Sequence, residues 1–253
     1  MNYSSLGYQL NKGIFIDEVL NLKKKISYVF RFYTNNYKSE FDELLIDLFH
    51  KDFDGFVGCA NVCQNLPDLY NLCFHHKMIS LLNNIGLNDV CLNTRPLISF
   101  SSKFTAKNEF YWRVPPHQDW PSTLGSLNGV TCWVPLVDLH DSDLGPLEIS
   151  PQSHLFGLKK SCDAIMSDAV DCNYDKILMS IGDILFFNNF TIHKSGNNIT
   201  KKIRISVHFR YDDFSETTFV ERKFPRNRKD VREKYENTNN FPSIDQIKKS
   251  LKI

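Results

Sequence analysis

Ile181-Gly182-Asp183-Ile184-Leu185-Phe186-Phe187-Asn188 runs on through Asn189-Phe190-Thr191-Ile192 to His193-Lys194-Ser195-Gly196-Asn197. A glycine turn opens this stretch, a short apolar run follows, and a second glycine turn closes it. That is the grammar of a buried strand between turns. The same pattern repeats outward from it. Strands are expected at Leu97–Thr105, Glu109–Asp119, Gly129–Val137, Leu147–Ser150, Lys176–Met179, Asp183–Asn188 and Arg204–Tyr211. Asn128-Gly129 and Leu144-Gly145-Pro146 supply further turns. Many short strands behind a helical opening predict a mainly β fold, a sandwich or jelly roll flanked by helices.

The first part of the chain has a helical period. Val19, Leu22, Ile26, Val29, Phe30 and Tyr33 share one helix face, with Asp17 as the expected cap. Ser39-Glu40-Phe41-Asp42 reads as a second helix start, continued by Leu44, Leu45 and Leu48. A third helix is expected over Leu72–Leu82. Beyond Arg222 the chain turns polar and basic. A last helix is expected from Ser243, with Ile244, Ile247 and Leu251 on one face, and Arg226–Lys234 reads as solvated surface. One domain is therefore expected: a helical part over about 1–88, a β core over about 89–212 and a basic tail over 213–253.

Bulk properties narrow the partners. The 253 residues are 42% hydrophobic and 13% aromatic, enough for one packed core. Thirty Lys and Arg against 29 Asp and Glu give no electrostatic reason to expect nucleic acid or an anionic membrane. No apolar run reaches the roughly 20 residues of a membrane span, and no secretory signal opens the chain. Seven cysteines without a Cys-x-x-Cys read as free thiols, hence a cytoplasmic protein. No feature addresses the oligomeric state.

The chemistry starts at His117-Gln118-Asp119. Residues i and i+2 of a strand share a face, so an imidazole and a carboxylate can reach one ion. The same tripeptide also suits a hydrogen-bonded pair at a strand end. His193 offers a second imidazole. Two histidines and one carboxylate on one face of an octahedron leave three positions open, as oxygen-activating iron(II) requires. Arg204, eleven residues past His193, has the planar fork that suits a carboxylate. Taken alone it would be read as a surface ion pair.

These segments, in this order, resemble the phytanoyl-CoA dioxygenase family of iron(II)/2-oxoglutarate oxygenases. Gly7-Tyr8 before the first helix resembles the family's opening, and Pro116-His117-Gln118-Asp119 its His-x-Asp segment. Gly129–Leu136, Gly145–His154, Gly182–Phe187, His193–Asn197 and Arg204 follow in family style. Leu144-Gly145 and Pro151-Gln152-Ser153-His154 depart from its Asn-Gly and Pro-Gly-Ser-His. The resemblance spans roughly residues 6–212. It implies a double-stranded β-helix, a cupin-like jelly roll, with Fe(II), 2-oxoglutarate and O2. By position, His117, Asp119 and His193 would be the ligands, and Arg204 with Ser195 would hold the distal carboxylate. Trp133 and Thr131 would line the co-substrate pocket. Two other readings stay open: a cupin-type isomerase or epimerase, which would not need Arg204 or Ser195, and a non-catalytic ligand-binding jelly roll.

The remaining polar residues divide. His154 is expected to bond to backbone, and His75, His76 and His140 to be solvated. Arg204, Ser206, His208 and Arg210 share a strand face, which makes His208 either a site wall or part of a structural network. Arg113 lies four residues before His117, about 13 Å away at ~3.3 Å per residue. Arg113 and Arg210 are expected near the barrel mouth, where they would suit a small anionic substrate. The alternative is that each pairs with a neighbouring acid, such as Glu109 or Asp212. Asp119 fills the position that is small and uncharged in halogenating members, so hydroxylation is the expected outcome.

Overall fold

The computed structural model describes residues 3–107, 113–140, 143–159, 161–162, 165–166 and 172–225. A short helix α1 (Tyr3–Leu6) and strand β1 (Tyr8–Asn11) open the chain. Five helices follow: α2 (Ile16–Thr34), α3 (Phe41–Lys51), α4 (Phe53–Cys63), α5 (Pro67–Cys73) and α6 (His76–Asn84). The β part contains β2 (Val90–Leu92), β3 (Leu97–Ser101), β4 (Val130–Pro135), β5 (Leu147–Ile149), β6 (Ser161–Cys162) and β7 (Ile165–Met166). It continues through β8 (Asp175–Lys176), β9 (Ile184–Asn188), β10 (His193–Ser195) and β11 (Arg204–Asp213).

The large sheet runs β1-β9-β4-β11-β2, with β3 also on β11, and the small sheet runs β10-β5-β8. All described strand pairs are antiparallel. Two facing antiparallel sheets make the expected jelly roll. Side-chain alternation divides the large sheet into two cores. Val130, Cys132 and Val134 of β4, with Ile205, Val207, Phe209 and Tyr211 of β11, join the buried helix residues in one cluster. Trp133, Leu185 and Phe187 point the other way. They pack with Leu147, Ile149, Ile177 and Met179 between the sheets.

The helices behave as their period dictates. α2 buries Val19, Leu22, Ile26 and Phe30, each contributing ~1.5–3 kcal/mol relative to exposure. Phe30 and Phe56 meet Phe100 of β3 at ring distances of 5.5 and 5.7 Å, which fixes the helical layer on the sheet. Asp17 does not cap α2. The cap position is Phe15, and Asp17 sits in the first turn, where its charge complements the helix dipole. The helix expected over Leu72–Leu82 is two helices. The chain breaks at Phe74-His75, and the His75 ring restarts it by accepting from the Lys77 amide at 3.2 Å.

Three strand expectations change. The Leu97–Thr105 segment leaves the sheet after Ser101 and turns into a 3-10 turn over Lys103–Thr105. Lys176–Met179 pairs with β5 through Asp175–Lys176 and the Ile177 amide, which donates to the Leu147 carbonyl at 2.9 Å, and meets Leu139 through a bridge at Met179. The expected Glu109–Asp119 strand lies partly outside the described residues. Its remainder, 113–119, forms no strand, only a bridge at His117. β1 answers to no sequence expectation, yet it pairs with β9 from Tyr8↔Phe187 to Asn11↔Ile184. The last helix and the Arg226–Lys234 surface lie outside the described residues.

One crossing ties the sheet edges together. Gly145 has a φ of +71°, and a Cβ there would meet the Asn198 nitrogen at 2.7 Å. A Cβ on Gly196 would collide with the Pro146 carbonyl oxygen, a backbone atom that cannot step aside. Gly196→Ala should therefore lower the unfolding free energy by roughly 1–3 kcal/mol, the usual scale for overpacking. Urea denaturation measures this, and an unchanged midpoint would show that the crossing yields easily.

Candidate active site

His117 and His193 are backbone partners. Each amide donates to the other's carbonyl, both at 3.0 Å. This bridge adds His117 alongside β10 and brings the two imidazoles together, tilted at 49° with centroids 4.1 Å apart. Asp119 does not arrive by strand alternation. Its backbone is right-handed helical (φ −75°, ψ −29°), because the chain is already turning into the short helix Trp120–Thr123. The turn swings the carboxylate back under the rings. Asp119 Oδ1 lies 3.9 Å from His117 Nε2, and Oδ2 lies 3.9 Å from His193 Nε2. All three ligand atoms fall within 4.8 Å of one another.

The outer nitrogens set the tautomers. His117 Nδ1 donates to the Pro115 carbonyl and His193 Nδ1 to the Thr191 carbonyl, each at 2.9 Å. A carbonyl can only accept, so Nδ1 carries the proton and Nε2 presents its lone pair towards Asp119. Burial, then His117, pushes the His193 pKa down to about 3, and burial also lowers that of His117. Burial opposes the charge on Asp119, but Arg210, the two histidines and Thr131 together hold it well below the usual carboxylate range. Two neutral imidazoles and one ionised carboxylate are the protonation states a metal ion needs.

Arg204 lies on β11, opposite Ser101 of β3, and is 4% exposed. Its Nη1 donates to the Gly145 carbonyl. Its Nη2 donates to Ser101 Oγ at 3.1 Å and reaches Ser195 Oγ at 3.5 Å. Its Nε has no partner, and no carboxylate among the described residues pairs with it. Burial lowers its pKa to about 10, so it is still charged at neutral pH. A buried cation held only by neutral oxygens calls for an anion. Trp133 packs beneath it, the guanidinium carbon 5.9 Å from the ring. The donor set thus fits both a divalent ion and a dicarboxylate.

Other expected site residues fall differently. Thr131, expected to line a co-substrate pocket, donates its hydroxyl to Asp119 Oδ2 at 2.6 Å. Arg210, expected at the barrel mouth, instead donates from Nη2 to Asp119 Oδ1 at 2.9 Å, and Glu109 lies outside the described residues. The cause is register. Arg210 lies directly opposite Thr131, so the rung that carries one carries the other to Asp119. Arg113 is exposed, in a segment without strand alternation. His208 faces the barrel interior, its Nε2 3.1 Å from Ser206 Oγ and its ring edge-on to Trp133. Burial, then Arg210, lowers its pKa to about 3. His154 Nε2 donates to the Ser4 carbonyl at 3.1 Å, as expected, and His140 stays exposed.

Sequence reasoning missed Ser101, Gly145 and the work of Gln118. Gln118 is 1% exposed. Its amide donates to the Gly157 and Phe190 carbonyls at 2.9 and 2.7 Å and accepts from the Lys159 amide at 2.9 Å. It locks two loops to the residue between His117 and Asp119. A buried-polar signal existed only in its position between two ligand-type residues.

The depressed histidines set an acid limit on the metal-free fold. An unfolded histidine titrates near ~6.5, whereas His193 and His208 stay neutral down to about 3 in the folded chain. Between those values protons bind only the unfolded chain, so stability falls as pH falls and is fully present above ~6.5. The urea midpoint of metal-free protein should drop between pH 7.5 and 5.5. A midpoint that holds steady or rises would show that these rings take up protons while folded.

Residues 38–206, more than half of the chain, match the phytanoyl-CoA dioxygenase (PhyH) family. A methylphosphonate hydroxylase from Gimesia maris is 30% identical over 154 residues. That alignment spans 58% of this chain and only 58% of the relative's length. Among solved structures, the epimerase SnoN in complex with Fe3+, alpha ketoglutarate and nogalamycin RO superposes with a TM-score of 0.60 at 18% identity, covering 84% of this chain and 81% of that one. EctD from S. alaskensis gives 0.56 at 16% identity, covering 85% and 75%. At such identities the likeness is one of fold, and it agrees with the jelly roll built from the strand pairings. With the ordered His-x-Asp, His and Arg segments inside the matched region, the chain belongs to the phytanoyl-CoA dioxygenase family.

Proposed function

We propose that the chain is an Fe(II)- and 2-oxoglutarate-dependent oxygenase that hydroxylates a small anionic organic molecule. The observation that carries this reading is the buried Arg204, a cation with no acid partner among the described residues, beside the His117–Asp119–His193 cluster. A cupin-type isomerase that works without 2-oxoglutarate has no need of it. SnoN is itself an epimerase in complex with Fe3+ and alpha ketoglutarate, so epimerisation would fall within the same chemistry.

His117 and His193 would give Nε2 to iron, and Asp119 one carboxylate oxygen. Arg204, with the Ser101 and Ser195 hydroxyls, would take the distal carboxylate of 2-oxoglutarate over the Trp133 ring. When bound, iron(II) supplies O2 activation: one oxygen atom enters succinate as CO2 leaves, and the other enters a substrate C–H bond. The chain's own part is to hold these groups in register and keep water out. With iron bound, Asp119 would fill the coordination site that chloride would otherwise take, which favours hydroxylation over halogenation.

The anionic substrate draws support from the methylphosphonate hydroxylase relative. Arg113 and His208 are the residues we assign to it, His208 as a neutral hydrogen-bonding wall. A cytoplasmic setting is consistent with the free, buried Cys59, Cys63, Cys73 and Cys132. Among the described residues no helix is long and apolar enough to cross a membrane.

The deciding assay is aerobic succinate release from 2-oxoglutarate with iron(II), with and without small anionic candidates. Wild type should release succinate, and His117→Ala or His193→Ala should abolish release while the far-ultraviolet circular dichroism stays native. Full turnover in either variant would remove the metal assignment. Arg204→Ala should raise the apparent Kd for 2-oxoglutarate roughly 30-fold or more, because truncating one partner of a buried charge pair costs ~2–5 kcal/mol. Metal affinity should change far less. An unchanged Kd would mean that Arg204 is not the anchor.

A further inference from the structure

Asp119 is gripped by two donors outside the histidine pair. Thr131 Oγ1 on β4 holds Oδ2 at 2.6 Å, and Arg210 Nη2 on β11 holds Oδ1 at 2.9 Å. Both donors come from one rung of the large sheet, where Arg210 and Thr131 are register partners. The rung is well supported. Thr131 is 1% exposed, and Asn189 Oδ1 lies 2.9 Å from its hydroxyl. The Asp119 side chain is 2% exposed and that of Arg210 17%, so water does little to loosen the grip.

A free carboxylate has choices at a metal ion. It can turn, or bind through both oxygens and take two coordination positions. A carboxylate tethered at both oxygens keeps one remaining direction on each, and turning its plane to bring both of these onto one ion would mean giving up a charge-assisted bond. The open positions matter here. Three single-atom ligands leave three positions, and a carboxylate that supplied two atoms would remove one of them.

We propose that Arg210 is a positioning residue: with Thr131 it fixes the plane of the Asp119 carboxylate so that it gives the metal one oxygen, which keeps the third position free. This rests on the metal-centre reading above. It also replaces the substrate-gripping role expected for Arg210, because its Nη2 is bonded to Asp119.

The test uses Co(II), whose visible absorption reports coordination number, on the full chain. Wild type, Arg210→Lys, Arg210→Met and Thr131→Val are each loaded with Co(II) and titrated with 2-oxoglutarate. Wild type and Arg210→Lys should share band positions. Arg210→Met should shift and weaken its bands and raise the 2-oxoglutarate Kd at least tenfold, with one Co(II) still bound per chain. Thr131→Val should move the spectrum in the same sense. An Arg210→Met spectrum and Kd equal to wild type would overturn the proposal. So would an unchanged spectrum with only a raised KM for the primary substrate, since that marks a substrate grip. If Arg210→Met loses its native circular dichroism, Thr131→Val decides, and an unshifted spectrum there overturns the proposal equally. A wild type that takes up no Co(II) would instead sink the metal-centre reading, and this inference with it.

Discussion

The reciprocal backbone bond between His117 and His193 is the contact on which the site depends. Two amides and two carbonyls satisfy one another at 3.0 Å. In doing so they join a segment without strand structure to the edge of the small sheet. The Ser195 amide, donating to the Val114 carbonyl at 2.9 Å, continues the same register three residues back. With the reciprocal bond in place, two imidazoles 76 positions apart in the chain are brought into contact, and Asp119 follows because the next residues coil into a helical turn. Gln118 reinforces the same pairing from the other side by bonding to the Phe190 and Gly157 carbonyls.

The rest of the barrel serves to keep charge dry and balanced around that contact. β11 does this twice on one face. Its first residue, Arg204, is surrounded by hydroxyls and a carbonyl, and its seventh, Arg210, meets a carboxylate. Two arginines six apart on one strand therefore have opposite fates. One cation is matched within the protein and the other is not. The distinction comes from what lies across the strand: Ser101 opposite Arg204, Thr131 opposite Arg210.

The jelly roll was legible because alternation and glycine turns are local signals. Val130, Cys132 and Val134 face the helices while Thr131 and Trp133 face inward, as period two requires. The ligand-type residues were legible because few other arrangements explain His-x-Asp with a distant His and Arg. Alternation misled where no ladder exists. It was carried through 113–119, where one bridge replaces a strand, so the reasoning that brought Asp119 beside His117 was wrong even though the two do meet. Arg210 was misplaced for a different reason. Sequence spacing gives the face of a residue but not its cross-strand partner, and here the partner rung settles the contact. β1 escaped notice because Tyr8-Gln9-Leu10-Asn11 is short and half polar, and only β9 makes it a strand.

Charge balance carries the argument about substrate one step further. Asp119 contributes one negative charge, Arg204 and Arg210 one positive charge each, and the depressed histidines none. The protein's share is thus one net positive charge. Iron(II) and 2-oxoglutarate, as proposed, bring two positive and two negative charges and cancel. One positive charge would remain in a site shielded from water, where each uncompensated ion costs several kcal/mol. A neutral substrate leaves that cost in place and a cation doubles the charge, whereas a monoanion removes it. Arg210 retains some solvent contact, which softens the effect without changing its sign. Within the proposed reading, the charges of the described buried groups thus favour an anion without appeal to Arg113 or to the substrate of any relative.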